Sequence, residues 1–506
     1  MTDQFTDHIY TSYITSTLSS VETNHLPINT LTDKINLPIG HPESIKISQF
    51  QIVLNGLVSN TSRLDNNACN NLIIAILRYN WLDITDPLFA KAYSRFLITL
   101  VSTFPKYLHE VLNKLTHEFT SPNTSQHHQI LAQIITYIPT SINSLPQFFK
   151  KNFPHHISST TTELTNYVQN LVKVLDYSPE LQFPIYQLII EVSIKLDVEL
   201  QNQLDEDEEE IEDLLDDPDL GLSKLDNIIS ILLNCTSPHF TIDQLNSGQG
   251  ITLFNTITSL FKSHILPTHF TKSIQFILFH ITQYQPELAD SFLVLLIDVA
   301  FNPAETLEIR LKSIQYLSSY IARAKNLSSH QITFIVSYLV GWLNKFIIER
   351  EQEVHLGGME RFKLFYSTFQ ALLYIFCFRH ELLITSTTTT TKFFQRAILT
   401  KFNPLKFCDE TVVHIFAKLA TRLNVCYCYS IIEHNKRERM LQTTGLPSAV
   451  ANFKQKQEFL DLEAYFPFDP LVLPISKSIV APNYIEWSDV NPEEDSESES
   501  DSDDTI

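Results

Sequence analysis

The sequence predicts an all-α protein, a HEAT- or armadillo-like α-solenoid of stacked antiparallel helix pairs, and three observations carry that reading. Glycine is scarce, with 9 residues in 506, where average usage of about 7% would supply roughly 35. Sheets and phosphate-cradling loops need glycine for positive φ and close backbone approach; helical hairpins do not. Apolar residues recur at helical spacing in segment after segment. The breaks between segments are short, which sets neighbouring helices antiparallel and side by side. No motif repeats at a fixed period, so the repeat assignment rests on helix spacing.

Taken in order, residues 1–45 are Thr/Ser-rich, poorly patterned, and read as a flexible N-terminal arm. Residues 46–200 form a first set of helical repeats. "ACNNLIIAILRYNWL", "DPLFAKAYSRFLITLVS", "PKYLHEVLNKLTHEF", "HHQILAQIITYIP" and "ELTNYVQNLVKVL" are each about helix length and are separated by Pro and Asn/Ser breaks. Tyr107, Leu108, Val111, Leu112 and Leu115 follow one helical face. In "IIEVSIKLDVEL" (189–200), Ile190, Val192, Ile194, Leu196, Val198 and Leu200 alternate as in a half-buried strand, but the surrounding helices favour helix.

Residues 201–222 read as an acidic loop. From Asp205 to Asp219, 11 of 15 positions are acidic and none is Lys or Arg. The C-terminal "EEDSESESDSDD" (493–504) adds 8 in 12, so the two segments hold 19 of the 57 acidic residues and leave 38 against 36 basic ones. The net charge of -21 therefore belongs almost wholly to them.

Between these segments, residues 223–487 form a second set of repeats. Ile274, Ile277, Leu278 and Ile281 share one stripe, as do Ile314, Leu317 and Ile321. "ITFIVSYLVGWLNKFII" (332–348) is apolar almost all round and predicts an inner helix covered on both sides. "TSTTTTTK" (385–392) reads as a low-complexity loop. Residues 488–506 read as a disordered acidic tail, since their charges repel and nothing apolar is there to bury.

Motifs for chemistry are missing. The sequence contains no GxxxxGK[ST], GxGxxG or GxSxG, and "SGQG" (247–250) reads as a turn. Histidines 127–128 and 155–156 are adjacent pairs that splay about 100° apart on a helix, whereas a chelating pair sits at i and i+4. His264 and His269 read as packed or capping. Cys69, Cys235, Cys377, Cys408, Cys426 and Cys428 read as reduced thiols, and "VCYC" (425–428) has the wrong spacing for a zinc knuckle. The acidic block lacks a calcium-loop pattern. No catalytic residue, cofactor or metal site is therefore expected. The one basic cluster, "HNKRER" (434–439), reads as a solvated helix end, so direct DNA binding is expected to be weak or absent. No secretory signal is read, and the longest apolar run, near 371–378, falls short of the roughly 20 residues of a membrane span. These residues describe an interaction protein.

Eight ordered stretches also resemble a known family. They are "RYNWLDITDPLFAKAYSRFLITLVSTFPKYLHEVLNKL" (78–115), "SIKLDVELQNQLDEDEEEIEDLL" (193–215), "LFNTITSLFKSHILPTHFTKSIQFILFH" (253–280), "SIQYLSSYIARAKNLS" (313–328), "GGMERFKLFYSTFQALLYIFCFRH" (357–380), "KFNPLKFC" (401–408), "VCYCYSIIEHNKRER" (425–439) and "YFPFDPLVLPISKSIVAPNYIEW" (465–487). Together they resemble the RNA polymerase I-specific transcription initiation factors called Rrn-three in yeasts and TIF-IA in animals, and the fungal members most. The resemblance implies a HEAT-like, non-enzymatic nuclear and nucleolar protein. It implies binding to RNA polymerase I, partly through the stalk, and bridging to the promoter-bound core factor at ribosomal RNA genes, tuned by phosphorylation.

The family's serine-rich, polymerase-facing patch maps by position onto Ser59, Ser62, Ser102 and Ser141, with Thr61, Thr103 and Thr140 beside them. The plainer reading of each is an N-cap or turn hydroxyl. Ser496, Ser498 and Ser500 each have an acidic residue three positions on, resembling sites of casein-kinase-type enzymes; the plainer reading is a solubilising tail. The rival function is a helical-repeat scaffold or transport receptor of another pathway, and a homodimer stays open.

Overall fold

The structure, a computed structural model, describes residues 2–82, 84–206, 221–269, 271–356, 359–386, 388–443 and 462–491. Among them the regular structure is helical, with one isolated antiparallel bridge between Ala324 and Tyr484. This is the all-α architecture expected of a solenoid. The chain divides into two compact units, Met1–Ile189 and Ile190–Ile506.

The first unit contains α1 (Thr2–Ser19), α2 (Leu26–Asn36), α3 (Ile47–Ser59), α4 (Asn70–Arg78), α5 (Pro87–Thr103), α6 (Leu108–His117), α7 (Ser125–Tyr137), α8 (Leu145–Asn152) and α9 (Thr161–Val174). Helix α1 packs on α3, α3 on α5 and α5 on α7, while α2, α4, α6 and α8 make the second layer in the same stepwise way. Local chemistry starts these helices where the sequence changes character. Asp86 accepts the Leu88 N–H at 2.8 Å just before Pro87 in α5, and Thr160 with Glu163 closes a capping box on α9.

A buried carboxylate ties the layers of this unit together. Glu118 Oε2 accepts the Trp81 indole N–H at 2.9 Å and His127 Nε2–H at 2.8 Å, and Oε1 accepts the Lys114 ammonium at 2.6 Å. Burial pushes the Glu118 carboxyl up, but the His127 hydrogen bond and the Lys114 charge outweigh it and hold it below the usual carboxylate range.

Residues 1–45 differ from the arm expected of them. They hold α1 and α2, and Ile14, Leu18, Val21, Ile28, Leu31 and Ile35 are buried. Ile14 and Leu18 share a face of α1, Val21 follows in the turn, and Ile28, Leu31 and Ile35 share a face of α2, so the Ser/Thr content covers a real amphipathic pattern. Gly56 lets α1 come close: a Cβ there would stand 3.2 Å from Ile14 Cγ2.

The unit boundary falls inside α10 (Gln182–Glu206), before the acidic segment that was expected to separate the repeats. The alternating 190–200 stretch is helical. Its Asp197 is buried and accepts the backbone N–H groups of Lys272, Ser273 and Ile274 at 3.1, 2.9 and 3.1 Å, which commits this half of α10 to the second unit. Residues 207–220, most of the expected acidic loop, lie outside the described residues.

The second unit continues with α11 (Gly221–Thr236), α12 (Ile242–Asn246), α13 (Gln249–Leu260), α14 (Phe276–Ile281), α15 (Pro286–Phe301), α16 (Leu307–Arg323), α17 (Ser329–Arg350), α18 (Lys363–Ser386), α19 (Thr388–Ala397), α20 (Pro404–Phe407), α21 (Glu410–Arg422), α22 (Tyr429–Thr443), α23 (Pro474–Val480) and α24 (Trp487–Val490). Helices α15, α16, α18 and α21 pack in sequence, with α17 against α18 and α19. The Thr-rich stretch expected as a loop belongs largely to α18 and α19, whose apolar Phe393 and Phe394 are buried and hold it helical.

Helix α17 is not covered on both sides. Ile335, Leu339 and Leu343 are buried, whereas Phe334, Tyr338 and Ile348 are exposed. It is also, among the described residues, the one helix long and apolar enough to cross a membrane, a length the sequence reading did not assign. Its apolar residues are shared between the core and the surface.

Residues 462–491 return across this unit as a strap. Phe468 is fully buried among Phe276, Phe279, Tyr316 and Tyr320, with ring centroids 4.9–6.0 Å away. Phe466 stacks on Tyr374 at 3.7 Å. Arg323 lies between the rings of Phe378 and Tyr484 and donates to the Ile485 carbonyl at 3.1 Å. The order persists through Asn491, which is buried, so 488–491 belong to the fold and not to the expected tail.

Candidate interaction surface

The hydroxyl patch expected from the resemblance maps to the C-terminal ends of three neighbouring helices in one layer. Ser59 ends α3, Thr61 and Ser62 lie in the 3-10 turn after it, Ser102 and Thr103 end α5, and Thr140 and Ser141 lie in the turn Pro139–Ser144 after α7. Because α3, α5 and α7 stack in order, these ends share one edge of the first unit.

Ser59, Ser62, Ser102, Thr103 and Thr140 are exposed. Two members differ from expectation. Ser141 is completely buried and its hydroxyl has no hydrogen-bond partner, and Thr61 is also buried, its hydroxyl turned to the Val58 carbonyl at 2.6 Å. A kinase cannot reach either in the folded chain, so the accessible patch is five residues. Position in a turn placed Ser141 on the edge, but its side chain points inward.

The hydroxyls are not N-caps. Ser59 donates to the Asn55 carbonyl at 3.0 Å and Ser102 to the Ile98 carbonyl at 2.7 Å, the back-bonding that closes a last helical turn. Each helix end carries roughly half a negative charge from its unpaired carbonyls. The nearby side-chain charges are Arg63 and the Lys106–Asp65 pair, 3.0 Å apart. A phosphate adds about -1.5 to -2 and would turn this almost neutral edge strongly negative.

The edge runs further than the sequence reading took it. Ser16, Ser19 and Ser20, at the end of α1, extend it beyond α3. The signal was present in Ile14, Leu18 and Val21, spaced by four and three, but it was passed over with the rest of the arm.

Elsewhere the chemistry is structural. His127 and His128 point to different partners: His128 meets Tyr177 Oη at 2.9 Å and Asn170 Oδ1 at 3.0 Å, and burial pushes its ring down to about 4. The rings of His155 and His156 stack on each other at 4.6 Å, and His264 stands 3.6 Å from Glu191. All six cysteines are free thiols, with the Cys426 and Cys428 sulfurs 3.6 Å apart. Among the described residues no three His, Cys, Asp or Glu side chains gather as a metal site. In the basic cluster, Arg439 pairs with Glu410, while Glu438 beside it pairs with Lys406 at 3.1 Å. An open groove of about 610 Å³ on the second layer is lined by Asn70, Ile74, Arg78, Lys106, Glu110 and Lys114 among others. Ser496, Ser498 and Ser500 lie outside the described residues.

Stacked helix pairs packed in two layers define a helical-repeat protein. A family profile described as RNA polymerase I specific transcription initiation factor RRN3 matches residues 3–221 and 217–492. The chain belongs to that family. It is 38% identical to the RNA polymerase I-specific transcription initiation factor RRN3 of Saccharomyces cerevisiae, over 98% of this chain and 93% of the relative. It is 29% identical to the Schizosaccharomyces pombe protein of the same description, over 90% and 82%. The crystal structure of RNA polymerase I transcription initiation factor Rrn3 superposes with a TM-score of 0.85 at 40% identity, covering 96% of this chain and 99% of that one.

Proposed function

We propose that this protein is an initiation factor for RNA polymerase I that works through protein contacts, without a catalytic step of its own. In this reading the first unit binds the polymerase in its stalk region, and the factor joins the enzyme to the promoter-bound core factor at ribosomal RNA genes. It works in the nucleus and nucleolus. Phosphorylation of the hydroxyl edge and of the tail serines regulates it. The observation that carries the reading is similarity along nearly the whole chain to relatives named as RNA polymerase I-specific initiation factors. The exposed edge of Ser59, Ser62, Ser102, Thr103 and Thr140 supplies a surface for it.

The mechanism of regulation is electrostatic. A nearly neutral edge of hydroxyls can lie against an acidic or apolar partner surface, and phosphates there meet both charge repulsion and a desolvation cost. The test is co-elution of the purified, unphosphorylated chain with RNA polymerase I and, separately, RNA polymerase II. Ser59, Ser62, Ser102 and Thr103 are then changed together to Asp. The expected result is binding to polymerase I alone, weakened at least about tenfold in the Asp variant, or about 1.4 kcal/mol. Selective binding that the variant retains would discard the edge and keep the factor. Absence of binding in a folded sample would discard the polymerase reading.

A further inference from the structure

Ser19 and Arg63 meet where α1 ends. The Arg63 guanidinium donates to the Ser19 hydroxyl oxygen and, at 3.5 Å, to the Thr15 carbonyl, while the Ser19 hydroxyl donates to the same carbonyl at 2.7 Å. Arg63 lies in the short turn Thr61–Leu64 and pairs with no carboxylate among the described residues. Ser19 is exposed, and the chain leaves the helix immediately after it. The local sequence is Ser19-Ser20-Val21-Glu22, with an exposed acid three positions beyond the hydroxyl.

We propose that Ser19 is a phosphorylation site for a serine kinase that selects an acid three residues downstream, and that Arg63 is the receptor that captures the phosphate and clamps α1 to the first unit. This goes beyond the polymerase reading and does not depend on it. In the transfer, Ser19 Oγ bonds the γ-phosphorus of Mg–ATP, and the bond from that phosphorus to the bridging oxygen breaks. ADP leaves with the electron pair, and the hydroxyl proton passes to solvent.

Arg63 decides the sign of the effect. A phosphate on the last residue of a helix faces the negative end of the helix dipole, which by itself loosens the final turn. A guanidinium already on the acceptor atom reverses this, because its planar fork gives the phosphate two charge-assisted hydrogen bonds. The clamp acts where α1 is attached. Ile14, Leu18 and Val21 are its buried contacts there, Ile14 lies against Gly56, and the Asn60 amide reaches the Thr15 hydroxyl at 3.4 Å.

Ser62, Ser223 and Ser430 also have an acid three positions on, Asp65, Asp226 and Glu433, and the tail serines share the pattern. The test therefore uses the full chain with Ser62, Ser223, Ser430, Ser496, Ser498 and Ser500 changed to Ala, treated with a casein-kinase-type enzyme and Mg–ATP. Phosphate is mapped by mass spectrometry, and amide hydrogen exchange is followed over residues 14–23. The expected result is one phosphate on Ser19, lost in Ser19→Ala and slowed about tenfold in Glu22→Gln. Exchange protection over 14–23 is expected to rise about threefold on phosphorylation, and in Arg63→Gln to fall below that variant's own unphosphorylated level. Absence of phosphate on Ser19, protection that is flat or lower in the arginine-bearing chain, or a rise that persists in Arg63→Gln would each overturn the proposal.

Discussion

The Asp226 carboxylate caps a helix that begins about 250 residues further along the chain. Its Oδ1 accepts the Ser476 N–H at 2.8 Å and the Ser476 hydroxyl at 2.6 Å, and its Oδ2 accepts the Ile475 N–H at 2.8 Å. Helix α23 has no side-chain cap of its own, so α11 provides it from across the second unit. Asp226→Ala leaves the Ile475 and Ser476 N–H groups without this partner, while the Ser476 hydroxyl keeps only the main-chain carbonyl of Asp226 at 3.3 Å, and is expected to cost about 2–4 kcal/mol. Denaturant unfolding measures the loss. Hydrogen exchange should quicken over 475–480 and stay unchanged in α3 and α5, and uniform exchange in the variant would show that the cap does not hold the strap.

Phe468 anchors the same strap. Removing a ring enclosed by Phe276 and Phe279 of α14 and Tyr316 and Tyr320 of α16 leaves a cavity that the two helices cannot easily close. Phe468→Ala is expected to cost about 3–5 kcal/mol, and Phe468→Leu, which refills part of the volume, distinctly less. Calorimetry on the two variants checks the order.

The strap marks a limit of what the sequence displays. "YFPFDPLVLPISKSIV" was informative as a stretch resembling a family, but nothing in its local period says that Phe468 enters a distant aromatic cage or that Asp226 caps it. Periodicity registers contacts within about a turn, and these span the unit. The amphipathic helices were legible because their burial is one-sided: Val111, Leu112 and Leu115 declare a face. Helix α17 was misjudged for the opposite reason, since composition counts apolar residues but does not say which side is covered. The hydroxyl edge was legible as positions at helix ends, while the inward turn of Ser141 depends on the packing of its neighbours.

The exposed half of α17 gives a direct check. Phe334→Ser and Ile348→Ser are expected to change stability by less than about 0.5 kcal/mol, as at other surface sites. An inner helix covered on both sides would lose several times that, because large apolar side chains would then leave cavities. Urea unfolding of each variant separates the two cases.

Acid should act unequally on the two units. His128 stays neutral in the fold down to about 4 because burial disfavours its charge, whereas in the unfolded chain it takes a proton near 6.5. The unfolded chain then binds more protons in that interval, and the first unit loses on the order of 3 kcal/mol as pH falls from about 6.5 to 4. In the second unit His280, also pushed down to about 4 by burial, acts in the same direction. There Asp197 opposes it: burial pushes its carboxyl up to about 6 against its three N–H donors, so between about 6 and 3.9 the fold holds the extra proton and gains stability as pH falls. Trp81 reports the first unit once Trp342 and Trp487 are changed to Phe. Its urea midpoint should fall steeply between pH 6.5 and 4, and His128→Asn should flatten that slope. A midpoint that holds or rises on acidification would contradict the assignment.

Gly250 tests close backbone packing. A Cβ there would stand 2.4 Å from the His239 carbonyl oxygen and 2.9 Å from Leu245 Cδ2. Gly250→Ala is expected to destabilise by about 1–3 kcal/mol through that clash, in spite of the roughly 1 kcal/mol that alanine gains in helix propensity. A thermal melt showing net stabilisation would mean that the turn before α13 shifts freely.

The strap also sets a timetable for biosynthesis. The first unit closes with residue 189, whereas the second needs Phe468, Tyr484 and Ile485 to complete its interior. Translation at about 5–20 residues per second takes roughly 15–60 s to cover the intervening stretch of about 300 residues. During that interval a finished unit trails an open one whose aromatic cage has no occupant, and a nascent chain in that state presents a chaperone with a defined apolar surface. A premature stop after Ala397 and before Phe468 would leave the same surface uncovered for good, and it would mark the product for quality control although most of its helices had been made.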